Sequence, residues 1–286
     1  MPAATTHVEF SKDVLVKLNQ KDKRKITNLQ MYYLGSQGPD YLFFSRASLF
    51  PGHLHKLGNI LHEEKVAEVI SYFEEYAKND DDLYSYIAGY LCHYALDSIA
   101  HPLIYAVANY NHKKTGVHEG TSHVSSEADI DIWLLHQRGR KISSYDVFDY
   151  FKVDHNSRNK LAKMYHDMFK DLFDIDISVQ RFSGAIRDIA FYTKVLKPAK
   201  GIYNFATTLE DIMRIPHSFS GMILYNKHDT RVLNIERLSY PLKNDETKTI
   251  SASFPQLYGK AIFTAKKLIE GHDASDFIVN FNGDPY

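Results

Sequence analysis

Apolar positions recur along this chain with a helical period. Val8, Leu15 and Leu18 share one face of a first helix, and Ile26, Leu29, Tyr33 and Leu34 share one face of a second. Gly35 and Gly38, with Pro39 behind them, should stop that second helix. Residues 64–77 read as an amphipathic helix followed by the acidic turn Asn79-Asp80-Asp81-Asp82. Over 83–110 the pattern is apolar nearly all round, which predicts a helix at the centre of a bundle, with Pro102 as a point of kinking. Further helices are expected at 122–138, 156–173, 179–196, 203–213 and 254–270. Residues 214–250 hold Pro216, Gly221 and Pro241 and read as a long irregular connection or a short hairpin. No repeat and no Gly/Ser linker divides the chain. The expectation is therefore an all-α, single-domain helical bundle over 1–286.

Composition narrows the function classes. Of 286 residues 44% are hydrophobic and 24% charged, which excludes wholesale disorder. Lys plus Arg is 34 and Asp plus Glu is 35, so a strong nucleic-acid footprint is absent. Cys92 is the only cysteine, which rules out a disulfide framework within the chain and a Cys-rich zinc finger. The stretch 86–108 is long enough to cross a bilayer, but His93, Asp97 and His101 inside it favour a buried helix of a soluble protein over a transmembrane segment. The start, MPAATTHVEF, has no basic residue followed by an apolar run, so no secretory leader is read and the expected location is cytoplasmic.

Chemistry enters with the histidines. Ten of the 15 lie at or before position 136, against roughly seven for even spreading. His93-x3-Asp97-x3-His101-Pro102 places two imidazoles and a carboxylate on one face of the apolar helix. Such a triplet arises by chance roughly 0.06 times in a chain this long. Imidazole nitrogen and carboxylate oxygen are zinc ligands, and burying three of them without a strong partner is costly. The bland alternative is that they hydrogen-bond one another or face a wet groove. His123-x3-Glu127 is a second pair on one helical face; alone it reads equally well as a surface pair at a helix start. Gly35-Ser36-Gln37-Gly38-Pro39-Asp40 is either a helix stop with a capping Asp or a rigid loop that aims Asp40 inward. His7 and His62 are individually ambiguous.

Taken in order, these pieces resemble the zinc-dependent phospholipase C family, whose fold is shared with zinc single-strand nucleases. The resemblance rests on a His near the start, Gly-x-x-Gly-Pro-Asp, a Gly-x-x-Leu-His segment, His-Tyr-x-x-Asp and His-x-x-x-Glu, and it covers 1–139. Residues 140–286 carry no matching motif and would complete the bundle. The resemblance implies a helical bundle around a multinuclear zinc site. Asp40, His62, His93 and Asp97 would hold one zinc, and His101, His123 and Glu127 a second. Asp97 would bridge to a third, with His7 as a ligand. Asp40 would also be the general base. Secreted members complete the third zinc with an N-terminal Trp, whereas this sequence starts Met1-Pro2, so two zinc ions are expected and the third site departs from the pattern. His53 and His55 compete with His62 for its place; His62 fits the motif better.

The function so implied is hydrolysis of a phosphoester, foremost a phosphodiester with a phospholipid head group, by a metal-bound hydroxide. A single-strand nuclease or a small-phosphoester phosphatase on the same fold is the alternative. A phosphohydrolase built on a His-Asp pair is a third candidate, because His166-Asp167, His228-Asp229 and His272-Asp273 occur, but none lies in an apolar helical face. A non-catalytic helical scaffold with a structural or lost metal site is the reading from another class. The many Tyr and Phe could line an apolar mouth or cage a choline group, and are expected mainly in the core.

Overall fold

The helix at the centre is α6 (Asp81–Thr115), 35 residues long, with most positions from Leu83 to Ala108 buried. Asp80 caps it, its carboxylate accepting from the N–H groups of Asp82 and Leu83, and Gly116 ends it with φ of 73°. It continues through Pro102 to Thr115. The computed structural model describes residues 4–43, 45, 54–195, 200–224 and 229–285. The other helices are α1 (Ala4–Lys17), α2 (Gln20–Lys25), α3 (Leu29–Gly35), α4 (Leu54–Glu63), α5 (Val66–Tyr76), α7 (Glu119–Gln137), α8 (His155–Phe173), α9 (Val179–Val195), α10 (Lys200–Met213), the four-residue α11 (Ser218–Gly221) and α12 (Phe254–Glu270), of which α12, α3 and α7 pack most extensively on α6. The all-α expectation holds. Among the described residues extended pairing is limited to a two-residue hairpin, Tyr240–Pro241 against Thr249–Ile250, and a bridge from Val279 to Pro285. The hairpin lies within 214–250, the stretch read as an irregular connection or a short hairpin. The last position of the helix expected at 179–196 lies outside the described residues.

Three helices escaped the periodicity, the four-residue α11 among them. The six-residue α2 is too short to show one. The helix α4 buries Leu54, Leu57 and Leu61, a usable helical spacing, but only half of its ten positions face inward.

The α3–α6 crossing decides where the chemistry will lie. A Cβ on Gly35 would stand 2.0 Å from the Tyr86 carbonyl oxygen, and one on Gly89 would stand 2.0 Å from that of Tyr32. The two helices therefore touch backbone to backbone, and only glycine fits at either point. Beside this contact the core is rich in tyrosine. Tyr32, Tyr41, Tyr86, Tyr90 and Tyr165 are fully buried, the Tyr86 and Tyr165 hydroxyls lie 2.6 Å apart, and Tyr32 donates to the Ser11 carbonyl at 2.8 Å. Among the described residues no helix is long and apolar enough to cross a membrane.

Candidate metal centre

Five elements bring the chemistry together. Helix α1 contributes His7, and the turn after α3 contributes Asp40 in the short 3-10 segment Asp40–Leu42. Helix α4 contributes His62, α6 contributes His93, Asp97 and His101, and α7 contributes His123 and Glu127. The turn is held against α6 because Gly38, at φ of 51°, lies so close to His93 that a Cβ would fall 2.0 Å from the ring.

The eight side chains converge. His62 Nε2 is 3.1 Å from Asp40 Oδ1, and His93 Nε2 is 3.1 Å from Asp97 Oδ2 and 4.0 Å from Asp40 Oδ1. His7 Nε2 is 3.2 Å from Asp97 Oδ1, and its ring lies 4.3 Å from that of His93. His101 Nε2 lies 3.6 Å from Glu127 Oε1 and 3.8 Å from Asp97 Oδ2. His123 Nε2 is 3.3 Å from Glu127 Oε1. Three sets each gather their ligand atoms within 4.8 Å of one another: His7, Asp40 and His93; His62, His93 and Asp97; His101, His123 and Glu127.

The far sides of the rings explain their orientation. His62 Nδ1 lies 2.7 Å from the Gly58 carbonyl, His93 Nδ1 3.2 Å from that of Ser36, and His101 Nδ1 2.9 Å from that of Phe281. A carbonyl only accepts, so each Nδ1 donates and the neutral ring presents Nε2 as a lone pair. Every such lone pair faces a carboxylate, which also only accepts. His93 Nε2 is buried without a hydrogen-bond partner. Lone pairs facing lone pairs away from water require a cation between them. A proton is one solution and a metal ion the other. Imidazole nitrogen with carboxylate oxygen is a zinc donor set, and carbonyls behind the rings are its usual support. The residues present fit zinc.

Without metal, protons do that work. Burial opposes a positive His101, yet Asp97 and Glu127 outweigh it and raise the imidazole to about 9. Burial likewise opposes the charge on Asp97, but His101, His93 and His7 hold it well below the carboxylate range. Glu127 behaves in the same way, held down by His123 and His101. His7 is lowered, first by burial and then by the neighbouring His93.

The cluster opens into a cavity of about 590 Å³. Asp40, His62, Asp97, His101, His123 and Glu127 are in its wall. Phe43, Tyr105, Lys243 and Asn282 line it as well. Lys243 stands 4.8 Å over the Tyr105 ring and 2.8 Å from Glu119. His55 lines the cavity, its ring 4.9 Å from that of Phe43 and tilted to it by 59°, but is in none of the three sets. His53 and His228 lie outside the described residues. His166 and His272 turn to the carbonyls of Ile177 and Leu268 and do not line the cavity. The aromatic side chains are mostly core, as expected; Phe43 and Tyr105 line this cavity.

Sequence reasoning missed the far end of the chain. Phe281 supplies the carbonyl behind His101, and Asn282 reaches the cavity. No spacing signal could have found them, since a backbone carbonyl has no residue signature.

The family model described as zinc dependent phospholipase C matches residues 6–185. No curated protein and no solved structure matches the chain. The chain belongs to the zinc-dependent phospholipase C family.

Proposed function

We propose that this member of the zinc-dependent phospholipase C family hydrolyses phosphodiesters of the phospholipid head-group type in the 590 Å³ cavity. The observation that carries the reading is the ring of Nε2 lone pairs facing carboxylates, open on one side to that cavity. In this assignment Asp40, His62, His93 and Asp97 hold one zinc, and His101, His123 and Glu127 a second. Asp97 also reaches His7, where a third would sit. Bound zinc neutralises phosphoryl oxygens and makes water acidic enough to attack at neutral pH.

The chain's own groups do the rest. Asp40 has a side chain 13% exposed, against 6% for Asp97, and it lines the cavity. Burial opposes its charge, but His93 and His62 keep it ionised at neutral pH. It is thus placed to orient the attacking water and accept its proton. Lys243 and Tyr105 in the cavity wall offer a cation and an aromatic face to the anionic ester and its head group.

The test pairs metal analysis with three substrates: a chromogenic phosphocholine ester, a bis-aryl phosphate and single-stranded DNA. Zinc in the purified protein with turnover of the choline ester supports the reading. Turnover of DNA alone assigns a nuclease. No zinc after zinc-replete preparation assigns a scaffold.

A further inference from the structure

We propose that the C-terminal segment 279–285 is a positioning element of the metal centre, in which the Phe281 backbone ties the ligand set of His62 to that of His101. This rests on the zinc reading above. One residue makes both ties. The Phe281 N–H donates to the His62 carbonyl at 3.0 Å, and its own carbonyl accepts from His101 Nδ1 at 2.9 Å. Its ring is fully buried, 5.2 Å from the His62 ring and 5.5 Å from that of His93. Fixing a ligand's far nitrogen sets both tautomer and aim, and losing that partner in metal sites typically costs about 10–100-fold in affinity.

The segment is itself fastened to α6. Tyr94 donates to the Val279 carbonyl at 2.9 Å, and Tyr105 donates to Asn282 Oδ1 at 3.2 Å. Gly283, at φ of 80°, sits where a Cβ would fall 2.5 Å from Pro102 Cγ and 2.7 Å from the Ser98 carbonyl oxygen. Ser98 is the residue four before Pro102, so its carbonyl lacks a helical donor there. The tail thus packs on α6 at the proline, one position past His101. The family match ends at residue 185, so this contribution lies outside the matched portion.

Two variants test it: full-length Gly283→Ala, which drives the tail off α6, and a chain ending at Ile278, with and without a synthetic peptide of residues 279–286. Zinc stoichiometry and affinity are read by competition with a chromophoric chelator, beside thermal melting of the zinc-free forms. Gly283→Ala and the shortened chain should bind zinc at least about tenfold more weakly. The peptide should restore the shortened chain. A tail with a merely structural role would lower the melting temperature and leave zinc affinity of the folded protein unchanged. If the shortened chain does not fold, Gly283→Ala decides. Parent-like zinc binding in both overturns this inference and leaves the zinc reading standing. Absence of zinc from the parent removes both.

Discussion

The Nδ1 of His93 donates to the carbonyl oxygen of Ser36 at 3.2 Å, so a backbone group in the turn after α3 sets the aim of a side chain at the middle of α6. Its Nε2 is thereby turned to Asp97 and Asp40, and belongs to two of the three ligand sets at once.

His93→Ala should therefore cost more than one ligand. Zinc content is expected to drop, and turnover of a chromogenic phosphodiester to fall by at least about a hundredfold. Elemental analysis and steady-state kinetics on the same preparation check both; full activity in this variant contradicts the assignment.

Asp40→Asn separates holding metal from taking a proton. If Asp40 accepts the proton of the attacking water, kcat should stay down by about 10²–10⁴-fold at saturating zinc. Recovery of kcat on adding zinc would reduce Asp40 to a ligand.

Proton release should accompany zinc binding. In the folded metal-free protein burial opposes the charge on His101, but Asp97 and Glu127 raise it to about 9. The protonated ring therefore stabilises the metal-free fold fully below about 6.5, and that contribution disappears as pH rises through about 9. Zinc needs the lone pair, so at pH 7.5 binding must expel this proton. Calorimetry in buffers of different ionisation enthalpy should find at least one proton released per chain. Affinity for that site should weaken about tenfold for each unit of pH lowered per displaced proton.

Chelation should soften the fold, because the ligands come from five separate elements. Zinc at about 100 times its Kd adds about 2.7 kcal/mol. At about 2–4 °C per kcal/mol, removing it should lower Tm by about 5–10 °C. An unchanged melting curve after chelation of a zinc-loaded sample would mean that the metal sits elsewhere.

Gly89→Ala tests the crossing that places the turn. Its Cβ would meet the Tyr32 carbonyl oxygen at 2.0 Å, so α3 must move. Overpacking of this kind costs about 1–3 kcal/mol or more. Both Tm and zinc affinity should fall, since Ser36, Gly38 and Asp40 follow α3 directly.

Much of the architecture was legible because helical burial has a period. The strongly patterned stretches, above all the one that became α6, needed only local spacing to be read. His93, Asp97 and His101 were visible for the same reason: four-residue steps put side chains on one face whatever surrounds the helix. Asp40 had two local readings and His62 none that stood out, because nothing local says that α4 and the turn after α3 will meet. The chain by itself thus determined that a helix carrying His93, Asp97 and His101 on one face would be buried at the centre. Tertiary structure alone decided which partners complete it, including the carbonyls of Ser36 and Phe281 that aim the rings of His93 and His101. The physical reason is that helix periodicity is a short-range property of side chains, whereas these ties join backbone groups to rings up to 180 positions away, and a backbone carbonyl is the same in every residue.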